Sequence, residues 1–188
     1  LYLTLARLEK RKTLKNLAKN PDCEQEKNDR KNEKAADWDG IAPEYNFWQD
    51  STSKGKAKWN RSAGYESKSC LEMSNVKRGV FLQAIPVEPG KRYAVRANYF
   101  NQGKGAPSLR IRWKNPYFAW IRWDLDITGF TEERNGVWCE AAADVTVPRN
   151  AGYMVVMMGV SDQDSETDFC RWDNLRVNRL SAKERGKS

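Results

Sequence analysis

The chain has 188 residues, 39% of them hydrophobic and 31% charged, with a mean hydropathy of -0.85 and a net charge of +8. There is no histidine, which excludes Ser-His-Asp and Cys-His catalysis and any His-ligated metal within the chain. No apolar run approaches the 18 or so residues of a membrane span, so no membrane partner is expected.

The excess charge sits at the ends. Residues 1–20 carry six Lys/Arg against Glu9, residues 181–188 add a further +2, and the body is left at +1. A surface that tracks phosphates should place its charge on the folded face, so no nucleic-acid partner is expected either. Residues 1–18 read as an N-terminal helix, with Leu1, Leu5, Leu8, Leu14 and Leu17 along an apolar stripe and Asn20-Pro21 as its stop. It is expected to be a linker or the end of a preceding domain. Residues 181–188 read as a flexible basic tail.

Residues 21–64 read as loop, rich in Lys, Asn, Asp and Glu, with aromatic islands at Trp38, Tyr45, Phe47, Trp48 and Trp59. Asn60-Arg61-Ser62 is a glycosylation sequon. Strands are predicted from there on. Ser69 to Met73 is short. Val80 to Val87 and Tyr93 to Phe100 flank Glu88-Pro89-Gly90-Lys91, whose Pro-Gly pair suits a turn. In the second of these, Tyr93, Val95, Ala97 and Tyr99 alternate with Ala94, Arg96, Asn98 and Phe100, the period of a strand with one buried face. Ser108 to Lys114 alternates likewise, with Leu109, Ile111 and Trp113 opposite Arg110 and Arg112. Phe118 to Ile127 is predicted as a strand with Ile121, Trp123 and Leu125 inward and Trp120 outward. Gly136 to Val147, Tyr153 to Val160 and Phe169 to Leu180 follow. Tyr153 to Val160, apolar on both sides, reads as a central strand. About nine short strands imply an all-β, two-sheet antiparallel β-sandwich over 19–180.

The four cysteines, Cys23, Cys70, Cys139 and Cys170, form no CxxC and read as buried thiols or one of three disulfide pairings. Candidate sugar-stacking rings are aromatics out of phase with the core: Trp120, with Tyr117 and Phe118 beside it, and Trp48 and Trp59 in the polar segment. Trp113, Trp123, Trp138 and Trp172 are expected in the core. Gln83, Arg96, Asn98, Arg110, Arg112 and Arg122 are expected on the non-core face. They form either a solvated face paired with Glu140 and Asp144 or a groove whose guanidinium groups grip carboxylates or sulfates.

Four stretches taken in order carry a resemblance: Asn20-Pro21-Asp22-Cys23-Glu24, Gln83 through Tyr93, Trp138 followed by Val145-Thr146-Val147-Pro148, and Trp172-Asp173-Asn174-Leu175-Arg176-Val177. The chain resembles the jelly-roll carbohydrate-binding modules of bacterial glycoside hydrolases, of the family 4, 9 and 22 kind. Cys23 departs from the Phe usual at its place. The resemblance implies a structural calcium ion, with Glu24 and Asp173 as the matching carboxylates. It also implies a non-catalytic module that tethers a larger secreted enzyme to polysaccharide, through a covalently linked catalytic domain upstream and outside the cell or in the periplasm. If the arginines form a groove rather than a solvated face, the ligand expected is acidic glycan. The competing readings are an interaction sandwich without glycan affinity and, more remotely, a lyase or two-carboxylate glycosidase.

Overall fold

The computed structural model describes residues 15–25, 40–132 and 134–180. They form two five-stranded antiparallel sheets packed face to face. In chain order the strands are β1 (Asn46–Gln49), β2 (Lys56–Asn60), β3 (Cys70–Ser74), β4 (Arg78–Pro86), β5 (Arg92–Gln102), β6 (Ala106–Lys114), β7 (Ile127–Thr128), β8 (Trp138–Thr146), β9 (Tyr153–Ser161) and β10 (Phe169–Arg179). The first sheet runs β1-β4-β9-β6-β7 and the second β2-β3-β10-β5-β8. From β3 to β6 the chain alternates between sheets, as in a jelly roll.

The expected alternation sets the core. Tyr93, Val95, Ala97 and Tyr99 of β5 and Leu109, Ile111 and Trp113 of β6 are all buried, as are Ile85, Val87 and Trp172. Each fully buried large side chain contributes roughly 1.5–3 kcal/mol relative to exposure. Tyr99 packs on Trp172 with ring centroids 5.2 Å apart. The predicted central strand Tyr153 to Val160 is β9, and it does lie in the middle of the first sheet. All four cysteines are buried and free.

Four expectations need correction. The polar 21–64 segment is not all loop. It supplies two edge strands, β1 and β2, each with few inward side chains: Phe47 from β1, and Ala57 and Trp59 from β2. Phe118 to Ile127 is not a continuous strand. It makes one bridge, Lys114 to Trp120, then a short 3-10 turn at Trp123–Leu125, and reaches the sheet only at β7. Trp123 is therefore 78% exposed rather than core. Trp138 also leaves the core. It is half-buried on the outer face of the second sheet, against Tyr65 and Phe100.

The predicted N-terminal helix lies over residues 1–14 outside the described residues, as does the tail 181–188. Residues 15–18 are not helical. Asn16 bridges Asn178, and the Leu17 N–H donates to the Val177 carbonyl at 2.8 Å. The Leu175 N–H donates to the Pro21 carbonyl at 2.9 Å. The head of the domain thus runs beside the second half of β10, beyond the end of β3. Head and tail lie together, as the sandwich reading requires.

Candidate functional site

The outer face of the first sheet is a grid fixed by strand register. One row reads Trp48, Val80, Gly159, Ser108, and the next reads Asn46, Leu82, Met157, Arg110, Thr128. A third reads Ala84, Val155, Arg112, and a fourth Pro86, Tyr153, Lys114, with Trp120 bridging Lys114. Period 2 explains why these side chains share a face: each is out of phase with Phe47, Phe81, Ile111 or Met158, which point inward.

Two indoles stand at opposite corners of this face. Trp48 is 48% and Trp120 47% exposed. Four strand spacings and six residues separate their rows, which puts their backbones on the order of 25 Å apart. The Arg112 guanidinium lies 4.4 Å and the Lys114 ammonium 4.7 Å from the centre of the Trp120 ring. Phe118 sits edge-on to Tyr153 beside it, with centroids 5.1 Å apart. Near Trp48 the face dips into a cavity of about 290 Å³. Beside it Gly159 sits between Val80 and Ser108, where a Cβ would stand 2.7 Å from Val80 Cγ1, so only glycine fits there without a shift of Val80 or β4.

The floor is cationic. Arg112 Nε is 2.9 Å and Arg110 Nη2 3.6 Å from one carboxylate oxygen of Asp126. Asp126 is nearly buried and shared between them, while the Arg110 side chain keeps 47% of its exposure. One counter-ion for two guanidinium groups leaves Arg110 the freer to meet a ligand.

Of the residues expected to bind, the fold brings Trp48, Trp120, Arg110 and Arg112 to this one face. Tyr117 stands at its edge on the loop tip, 91% exposed. Five others do not belong. Gln83 is in phase with Ile85 and points inward. Its side-chain carbonyl accepts from the Lys19 N–H and its amide donates to the Lys19 carbonyl, both at 2.8 Å. Arg96 projects from the opposite sheet, where it pairs with Asp144 at 2.8 Å. Asn98, on that same face, accepts from the Asn174 side chain. Trp59 faces inward at the sandwich edge, with the Arg61 guanidinium 3.9 Å from the centre of its ring. Arg122 is in the loop, paired with Asp124. Arg78, Ser108 and Asp126 were missed. Arg78 is in phase with Val80 and Leu82, a parity the sequence did offer.

Glu24 and Asp173 flank one loop. A Glu24 oxygen accepts from the Lys68 and Ser69 N–H groups at 2.8 and 2.5 Å. Asp173 accepts from the Tyr65 N–H at 2.7 Å, the Ser67 hydroxyl at 2.9 Å and the Asn174 N–H at 2.6 Å. Burial nevertheless pushes the Asp173 carboxyl up to about 6. The donor type suits calcium, which takes six to eight hard oxygens. Among the described residues no group of three or more His, Cys, Asp or Glu side chains is placed to hold a metal. Most of an ion's ligands would therefore be main-chain carbonyls.

No family model and no curated protein matches the chain. Solved structures do match its fold. The enzymatically active domain of bacteriophage CBA120 tailspike protein 4 aligns with a TM-score of 0.64 at 14% identity, covering 88% of this chain. This chain spans only 21% of that one. The Stig cyclase Fisc of Fischerella sp. TAU aligns at 0.58 with 10% identity, over 89% of this chain and 98% of the cyclase. The CBM22-2 xylan-binding domain of Paenibacillus barcinonensis Xyn10C aligns at 0.54 with 12% identity, over 76% of this chain and 95% of that domain. The fold is therefore one that carbohydrate-binding modules share with at least two catalytic proteins. In its architecture this chain is a two-sheet jelly-roll sandwich, similar in fold to these proteins.

Proposed function

We propose that the outer face of the first sheet binds polysaccharide without cleaving it. The observation that carries this is the pair of half-exposed indoles, Trp48 and Trp120, at opposite ends of a face with polar side chains between them. A pyranose ring packs its C–H groups on an indole, and nearby polar groups take its hydroxyls. The separation of the two rings suits an oligosaccharide rather than a single sugar. The likeness of the fold to a xylan-binding domain supports the same reading. Among the described residues no pair of carboxylates faces the groove, as a two-acid glycosidase would need. Asp126 is held between two arginines, and Asp50 and Asp162 at the rim each accept a neighbouring hydroxyl. The guanidinium groups favour acidic over neutral glycan. Affinity gel electrophoresis in xylan and in polygalacturonate tests the reading. Retardation that disappears in Trp48→Ala/Trp120→Ala supports it. Release of reducing sugar or unsaturated product by the native protein overturns the non-catalytic part.

The module acts as part of a longer secreted protein, raising the local concentration of a linked catalytic domain on its substrate. Calcium joins Glu24 and Asp173 across the 65–69 loop. Addition of calcium after chelation should raise the melting temperature by several degrees, and an unchanged melting temperature overturns that assignment. A second reading, docking on another protein domain, is favoured by the rings the groove does not use. Trp123 and Phe130 are 78% and 64% exposed.

A further inference from the structure

We infer that the cavity beside Trp48 is a subsite for one anionic sugar residue, bound by a carboxylate or sulfate at Arg78 and Arg110. The inference rests on the groove reading above and adds the place, the ligand chemistry and the division of labour among the arginines.

Charge distribution is the first support. The five strands of the first sheet contain no Asp or Glu at all, yet they place Arg78, Arg110, Arg112 and Lys114 on the outer face. The nearby carboxylates are all engaged. Asp126 lies between Arg110 and Arg112. Asp50, held low by hydrogen bonds from Thr52 and more weakly by Arg78, and Asp162, which accepts from the Ser161 hydroxyl, stand at the rim.

Convergence is the second. Trp48, Arg78, Ser108, Arg110, Arg112 and Ser161 line the same cavity of about 290 Å³. That is one aromatic wall, two hydroxyls and three guanidinium groups around a space sized for one sugar rather than a chain. The guanidinium fork matches a carboxylate or sulfate in two parallel hydrogen bonds.

The third is that the arginines are not equivalent. Arg112 already has Asp126 on one side and the Trp120 ring on the other. It is a positioning residue, keeping the Trp120 platform and the Asp126 carboxylate in place. Arg110 and Arg78 are the exposed ones, and they meet the ligand.

Affinity electrophoresis and calorimetry with a neutral xylan, a polygalacturonate and a dextran sulfate separate the alternatives. The native protein should bind at least one acidic polymer roughly tenfold more tightly than the neutral one. That preference should shrink as salt is raised, while neutral binding stays constant. Arg78→Ala and Arg110→Ala should each remove the preference, weakening acidic binding far more than neutral binding. Arg112→Ala should weaken neutral and acidic binding alike, with Arg112→Lys restoring part of both through its retained charge over Trp120. The polymer preferred tells carboxylate from sulfate. Equal binding of neutral and acidic polymers, or a preference untouched by Arg78→Ala and Arg110→Ala, overturns the subsite alone. No retention on any polymer overturns the groove reading, and the subsite falls with it.

Discussion

The two outer faces of this sandwich are built from the same kinds of residue and put them to opposite use. On the second sheet, charges are matched within the face. Glu72 takes Lys58 at 2.7 Å and Arg171 at 2.7 Å, Glu140 takes Arg176 at 2.5 Å, and Asp144 takes Arg96 at 2.8 Å. Its rings are matched too: Phe100 and Phe169 stack nearly parallel, under Arg171. On the first sheet the strands supply cations and no acids, and Trp48 and Trp120 keep about half their surface in water. A face that satisfies itself is structural. The first face keeps spare charge and bare rings, as the proposed glycan site requires.

The largest effect that would break this contrast concerns Glu72. Its carboxylate is 8% exposed and holds Lys58, Arg171 and Asn60. Glu72→Ala should cost about 2 kcal/mol in urea unfolding, less than a fully buried pair because Lys58 can return to water. Glycan affinity should not change. If affinity fell instead, the second face would be the working one. Next come Trp48→Ala and Trp120→Ala, singly. Each should weaken glycan binding roughly tenfold by calorimetry and alter stability by no more than about 0.5 kcal/mol. A large stability loss would mean the rings are packing residues. Smaller still is Arg96→Ala. It removes a surface pair, should cost under about 1 kcal/mol, and should leave binding intact.

The smallest effect lies at neither face but where the loops meet. Asp164 is held down to about 2 by Lys104 and Lys77. Its folded value is below the ordinary one of 3.8, so its ionised form favours the fold. That contribution is present above about pH 4 and lost as pH falls towards 2. Acid unfolding monitored by circular dichroism should become slightly less steep in that window in Asp164→Asn.

Alternation read the interior of the long strands well because each had one buried face and a clear period. It could not say which sheet a strand joins. Arg96 and Arg110 are both outward, and parity treats them alike, yet they point in opposite directions across the sandwich. Gln83 shows the reverse case: its parity with Ile85 and Val87 marked it as inward, but its polarity suggested the surface. The edge strands β1 and β2 were illegible because so few inward residues, set in polar sequence, leave little period to detect. The run from Phe118 to Ile127 had the period without the partner. Beyond Ile121, whose N–H donates to the Trp113 carbonyl, no neighbouring strand receives it until Ile127, and its Trp123 is left in solvent. The groove itself depends on register, which brings Trp48, Met157 and Arg110 together from three strands distant in sequence.

Gln83 also fixes where the domain can be trimmed. Its amide closes both hydrogen bonds on Lys19 in the manner of a missing strand neighbour, and Asn16 does the same for the Leu175 carbonyl and the Val177 N–H. A recombinant fragment beginning at Gln25 would leave those groups orphaned beneath the surface, and with them the Tyr45 hydroxyl that donates to the Asn20 carbonyl. The excisable unit therefore starts no later than Lys15, well ahead of its first regular strand at Asn46.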